Sequence, residues 1–310
     1  MQVFLIVAPV FALIAIGYLA SLSGLLSQTA HKGISEFAFS IALPALLFRT
    51  IAVAEMPALE PLYLWGAYFG SIAVTWVLAM VLSVSVLRRP QADAVSIAMG
   101  SVYGNIVMIG IPLSLAAFGD AAAAPMALIL SVNTPLLWLA GTLNMEWAER
   151  KEDTSLIGLL GSILADLARN PLMIAIVGGS LWRLTGIGLH PVTDKVLLLL
   201  AQSGVPCALV ALGGSLVNFQ IKGQAPTLTT MFLLKLVAMP AVAWVLAFWV
   251  FRLPPVAAGV VVLFAAMPTG ANAYIFAARY QRVVNSTSGA VALGTLLSAA
   301  SAVALISALL

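Results

Sequence analysis

Charge is scarce in this chain. It carries 14 Lys and Arg and 11 Asp and Glu in 310 residues, so charged residues are 8% of the total, against about 25% in an ordinary soluble domain. Such a chain cannot cover a water-facing globular surface, which excludes a soluble enzyme, a coiled coil and a disordered tail. The single cysteine, Cys207, excludes an internal disulfide and with it a secreted disulfide scaffold. Beside Pro206 it reads as a small packing residue. Acids are missing where a cation carrier would need them: none of the eleven lies near the middle of an apolar segment, and a buried carboxylate is the usual ion ligand at that depth. No Walker loop, HExxH, CxxC or GxSxG pattern is present. His31 and His190 fall in predicted loops, without a cluster of other ligands. No metal, no cofactor and no enzymatic activity are therefore expected. The net charge of +3 sets topology in a membrane protein and does not indicate nucleic acid.

What the chain has in quantity is apolar sequence, 62% of it, with a mean hydropathy of +1.10. Its runs are continuous, such as 69–87 and 231–251, and lack the alternation of a transmembrane barrel. A spanning helix needs about 20 residues. The expected fold is an all-α integral membrane protein in the bilayer, with ten transmembrane helices near 3–22, 34–54, 62–86, 93–118, 124–145, 171–186, 195–216, 227–250, 255–280 and 287–309. The first apolar stretch lacks a basic leader and reads as a span, not a cleaved signal. The loop 146–170 holds apolar residues at helical spacing, from Leu156 to Leu167, as in a helix lying at the interface. With the N-terminus outside, nine Lys and Arg fall in inner loops and three, Arg183, Lys195 and Arg252, in outer ones. Both termini are thus expected outside.

The halves resemble each other. Pro9 and Pro171 lie 162 residues apart, as do Pro44 and Pro206; Pro90 and Pro254 are separated by 164, Asn105 and Asn272 by 167. Five spans per repeat is odd, so the second copy enters the membrane inverted, as in secondary transporters. The expected organisation is a first five-helix repeat over 1–145, the cytoplasmic loop 146–170, and a second repeat over 171–310.

Spans four and nine carry the chemistry. Span four reads Ser101-Val-Tyr-Gly104-Asn105-Ile-Val-Met-Ile-Gly110-Ile-Pro112; span nine reads Ala266-Met-Pro268-Thr269-Gly270-Ala-Asn272-Ala-Tyr274. Gly and Pro within apolar segments predict broken helices, with Pro44 and Pro206 interrupting spans two and seven. Breaks at mid-membrane expose backbone N–H groups and positive helix ends that hold an anion. Asn105 and Asn272 add amides, and Gly104, Pro268, Thr269 and Gly270 complete the candidate substrate site. The bland alternative is kinked, packed helices with each Asn as interhelical glue. Lys235, about eight residues into span eight, either pairs with an anionic substrate or snorkels to the interface. Arg49, about five residues from the outer end of span two, is expected to snorkel or to line an outer vestibule. Asn133 either reaches the site or ties helices together. The lack of buried acids speaks against a fixed coupling ion, although backbone carbonyls could still bind sodium.

The strings Tyr103-Gly-Asn-Ile-Val-Met-Ile-Gly-Ile-Pro-Leu113, Ala266-Met-Pro-Thr-Gly270 through Phe276-Ala-Ala-Arg-Tyr280, and Gly33-Ile-Ser-Glu-Phe through Leu43-Pro-Ala-Leu-Leu-Phe48 resemble the auxin efflux carrier family, which includes the plant PIN proteins. The similarity covers the whole chain. It implies that helices four and nine cross beside the substrate site. It implies a dimerising scaffold of helices one, two, six and seven, and a mobile transport domain of helices three to five and eight to ten. Asn105 matches the family's substrate-contacting Asn. Gly104 and Ala273 stand where plant members have prolines, so Gly and Asn are expected to make the breaks here. The resemblance fits shorter bacterial members, some similar to malonate carriers. The expected function is elevator-like transport of a small organic anion across a bacterial inner membrane, by a homodimer. A receptor for a small carboxylate on the same fold is the alternative.

Overall fold

The computed structural model describes residues 2–53, 60–149, 161, 165, 168–219 and 224–309. Apart from one isolated backbone bridge, the regular structure among them is helical. This suits a chain in hydrocarbon, where each segment must satisfy its own backbone polar groups. In chain order the α-helices are α1 (Gln2–Leu22), α2 (Gln28–Phe37), α3 (Leu43–Val53), α4 (Pro61–Ser85), α5 (Gln91–Val102), α6 (Ile111–Phe118), α7 (Ala123–Glu149), α8 (Pro171–Leu184), α9 (Pro191–Leu216), α10 (Ala225–Leu233), α11 (Met239–Trp244), α12 (Pro255–Ala266), α13 (Ala271–Tyr280) and α14 (Val284–Leu309). The interfacial helix expected over Leu156–Leu167, together with Arg150, Lys151 and Lys222, lies outside the described residues or is not covered continuously by them.

Among the described residues seven helical runs are long and apolar enough to cross a bilayer, including Val3–Leu22, Pro61–Ser85, Pro191–Leu216 and Val284–Leu309. The chain is a multi-pass membrane protein. The segments expected as spans four and nine are each interrupted, and α12, at 12 residues, reaches only about 18 Å at 1.5 Å per residue. The segment expected as span six is α8, with 14 residues. The second helical run starts at Gln28, earlier than expected, so His31 lies in α2 and not in a loop.

Several residues inside these segments do not break helices, the expected Pro44, Gly110, Pro112 and Pro206 among them. Pro44, Pro112 and Pro240 each lie two residues beyond a π-helical turn, at Ala38–Ala42, Ile106–Gly110 and Leu234–Ala238. The wide turn makes room for a ring that would otherwise meet the preceding carbonyl, and helix resumes. Gly110 belongs to the second of these turns, and helix continues past it. Pro206 sits inside an uninterrupted α9. One missing hydrogen bond does not end a helix packed along its length: a Cβ on Gly213 of α9 would collide with the backbone of Ile14, and Gly204 lies against Ala42. Ala273 is the third residue of α13, past the break.

The described chain divides into two compact units. The first comprises 1–58, 107–131 and 164–218. Within it α1 packs on α9 through small residues, Gly17 against Val210 and Gly213 against Ile14, the close approach by which helices associate in lipid. Arg49 is paired with an acid. Its Nε and Nη2 donate to Asp194 Oδ1 and Oδ2 at 2.7 and 3.2 Å, tying α3 to α9. His31 Nε2 lies 2.7 Å from the carbonyl oxygen of Ala211.

The second unit comprises 59–106, 132–163 and 219–310. Its centre is formed by α5 and α12, with residues 94–102 and 257–266 all buried. Burial on every face means that these helices are surrounded by protein. The Tyr68 ring of α4 meets Phe264 of α12 edge-on, centroids 6.5 Å apart. At one end Arg282 bridges Asp93 at 3.6 Å and Glu149 at 3.5 Å.

Candidate functional site at the paired helix breaks

Both breaks fall in the second unit. After Val102 the chain becomes extended at Tyr103 (φ −77°, ψ 93°) and turns helical again at Ile106. After Ala266 it becomes extended at Met267 (φ −63°, ψ 140°), and α13 starts after Gly270 (φ −88°, ψ 160°). The two extended pieces pair antiparallel at Gly104 and Thr269. Asn105 N–H donates to the Pro268 carbonyl at 2.7 Å, and Gly270 N–H to the Tyr103 carbonyl at 2.8 Å. Each break thus satisfies backbone groups of the other, which lets non-helical chain persist in a buried apolar core.

Glycine permits this approach. A Cβ on Gly270 would stand 3.1 Å from the Asn105 nitrogen and from the Gly104 carbonyl atoms. A Cβ on Gly104 would stand 3.1 Å from Lys235 Nζ and 3.3 Å from the Met267 carbonyl oxygen. Pro268 contributes through its carbonyl.

Lys235 does not snorkel. It is 1% exposed, and its Nζ donates to the Ala265 carbonyl at 2.8 Å and lies 3.1 Å from Met239 Sδ. The ammonium therefore caps the C-terminal end of α12, where the helix dipole is negative, and sits beside Gly104. Among the described residues no ion pair includes it. The acids described in this unit, Glu60, Asp93, Glu146 and Glu149, lie at helix starts and ends. Thr269 performs the matching task for α5: its hydroxyl donates to the Gly100 carbonyl at 2.8 Å.

Asn105 is buried and starts the helical run that opens at Ile106. Asn272, half-buried in the first turn of α13, donates through Nδ2 to the Tyr103 hydroxyl at 2.9 Å; that hydroxyl lies 2.7 Å from Thr134 Oγ1 of α7. Asn133, next to Thr134, is 1% exposed, and its Oδ1 has no hydrogen-bond partner among the described residues. The geometry brings together Gly104, Asn105, Pro268, Thr269, Gly270, Lys235 and Asn272. Gly110, Pro112, Ala273, Pro44 and Pro206 form no part of either break. Tyr103 and Thr134 are participants that the sequence reading did not single out. Their signal was present, as hydroxyls within apolar segments beside the two Asn residues.

The first N–H groups of a helix lack acceptors within it; at the start of α13 that of Ala273 is taken by the Gly270 carbonyl at 3.0 Å. The positive end of the α13 dipole and the donor groups of the Lys235 side chain favour negative charge at the crossover, and an anion is its chemical complement.

The profile of a family described as membrane transport protein matches residues 2–306. A Rhizobium meliloti protein named “Putative malonate transporter” is 25% identical over 301 residues, 97% of this chain and 94% of that protein. An uncharacterized transporter of Methanocaldococcus jannaschii is 24% identical over 217 residues, covering 68% of each chain.

Proposed function

We propose, because the chain belongs to the membrane transport protein family of the auxin efflux carriers, that it is a secondary transporter of a small organic anion, with the substrate held at the paired breaks. The observation that carries this reading is Lys235. A desolvated ammonium without a carboxylate partner is costly in a membrane core. A carboxylate substrate supplies the missing charge. The amides of Asn105 and Asn272 and the first N–H groups of α13 then hold its oxygens, with Gly104, Thr269 and Gly270 shaping the floor and Asn133 adjacent. The malonate name of the Rhizobium relative makes a short dicarboxylate the first compound to try.

The organisation we propose is ten spans in two inverted repeats, with spans four and nine each built from two half-helices. Matched local geometry favours it. Arg88 and Arg252, 164 residues apart, share a left-handed backbone (φ 52° and 48°), and each is followed two residues later by a proline that caps a buried half-helix, Pro90 before α5 and Pro254 before α12. In the proposed cycle a transport domain carrying the crossover moves relative to a scaffold of helices one, two, six and seven, through which the protein dimerises in a bacterial inner membrane with both termini outside. Both breaks lie in one compact unit, whereas 107–131 of the proposed transport domain falls in the other.

The test is uptake of labelled malonate and a panel of mono- and dicarboxylates into proteoliposomes, with thermal shift of the purified protein against the same panel. A bound anion stabilises by RT ln(1 + [L]/Kd). At least one small carboxylate is expected to stabilise the protein and to be transported. A folded preparation that responds to none of them, in either assay, refutes the reading. Asn105→Ala is expected to weaken anion binding without unfolding the protein; unchanged affinity removes that residue from the site.

A further inference from the structure

Carriers with broken helices commonly hold a coupling cation with carbonyl oxygens at the unwound backbone and at half-helix C-terminal ends. In this protein both such ends are already occupied by donors of the chain itself. The Gly100 carbonyl at the end of α5 accepts from the Thr269 hydroxyl at 2.8 Å. The Ala265 carbonyl at the end of α12 accepts from Lys235 Nζ, also at 2.8 Å. The carbonyls of Tyr103 and Pro268 are taken by the N–H groups of Gly270 and Asn105. Four carbonyls at the breaks thus already accept a hydrogen bond from the chain itself, and one of the donors is the Lys235 nitrogen.

Lys235 also fills space beside the break. Lys235 Nζ lies where even a Cβ on Gly104 would come within 3.1 Å of it, and it closes the other side against Met239 Sδ at 3.1 Å. A carboxylate, which a sodium or proton site at this depth would ordinarily employ, does not pair with it among the described residues.

We propose that the Lys235 ammonium is a tethered counter-cation standing where a related architecture would bind sodium, so that this carrier binds and moves its anion without an alkali-metal ion. The proposal rests on the anion reading above and adds the source of the balancing charge. An ammonium on a four-carbon stem brings one positive charge and three N–H donors to the crossover; two are directed at Ala265 and Met239, and the third remains for the anion.

The first test needs no substrate. The unfolding temperature of the purified protein is measured in NaCl, KCl, LiCl and choline chloride at equal ionic strength. The wild type is expected to agree within about 1 °C across the four salts, since an ion that binds the folded state alone raises Tm by mass action. A concentration-dependent rise specific to Na⁺ overturns the proposal. Lys235→Gln keeps a donor for the Ala265 carbonyl and removes the charge; it is expected to gain an alkali-cation response. A folded Lys235→Gln protein as indifferent to cations as the wild type overturns the assignment to Lys235. If that variant does not fold, Lys235→Arg decides: continued indifference supports the proposal, and a new Na⁺ response overturns it.

The second test is malonate uptake into proteoliposomes with choline replacing sodium on both sides. Rates within about twofold of those in sodium support the proposal, and a tenfold or larger loss overturns it. Malonate that is neither bound nor carried in any salt counts against malonate as the anion, while the cation series on Tm still decides the role of Lys235.

Discussion

At the break after α5, the terminal carbonyl of Gly100 is capped by the neutral hydroxyl of Thr269; at the break after α12, that of Ala265 is capped by the ammonium of Lys235. The two breaks pair with each other through reciprocal backbone hydrogen bonds, so their geometry is shared. Their electrostatics are not. A hydroxyl completes a helix end without adding charge, whereas an ammonium completes it and leaves the crossover net positive. The difference separates what holds the site together from what the site can bind.

The sharpest way to break the comparison is to exchange the charge and keep the cap. Lys235→Gln is expected to lower affinity for the proposed anion by about 30-fold or more, from the ~2 kcal/mol or greater cost of removing one side of a buried charge pair. Thermal shift against malonate or whichever carboxylate is bound measures it. An affinity within threefold of wild type would reduce Lys235 to a structural cap.

Next in size is the shared geometry. Gly270→Ala places a methyl 3.1 Å from backbone atoms of Gly104 and Asn105, which cannot rotate away as a side chain would. A loss of about 1–3 kcal/mol is expected, seen as a fall of several degrees in Tm. Gly104→Ala meets the end of a flexible lysine on one side. Its expected signature is weaker anion binding with a smaller loss of stability than Gly270→Ala.

Thr269→Val tests the neutral cap. Leaving the Gly100 carbonyl buried without its donor is expected to cost about 1–2 kcal/mol of stability, with anion affinity within about threefold of wild type. A larger effect on affinity than on Tm would show that the hydroxyl touches substrate. The smallest effect is expected of Tyr103→Phe, which cuts the link between Asn272 and Thr134. About 0.5–1.5 kcal/mol of orientation is at stake, a two- to tenfold loss of affinity at nearly constant Tm.

Prolines show where sequence reasoning reaches its limit. Pro268 lies in a true break, while Pro44 and Pro112 lie in helices that widen into a π turn just before them and Pro206 lies in one that does not widen at all. The residue type is the same in all four places. The outcome follows from whether another segment supplies hydrogen bonds to freed backbone, as the Asn105 N–H does for the Pro268 carbonyl.

The amino-acid sequence by itself determined that this is a helical membrane protein, and where apolar segments contain the Gly, Asn and Pro that make a break, because hydropathy and local backbone preference act over a few neighbouring residues. It also kept acids out of the middle of those segments. Only the tertiary structure decided that Lys235 caps Ala265 30 residues away, that Thr269 reaches Gly100 at a separation of 169, and that Arg49 pairs with Asp194 at 145. A buried lysine's options, snorkelling or capping, differ by which groups packing brings within 3 Å of its nitrogen, and no local propensity encodes that distance.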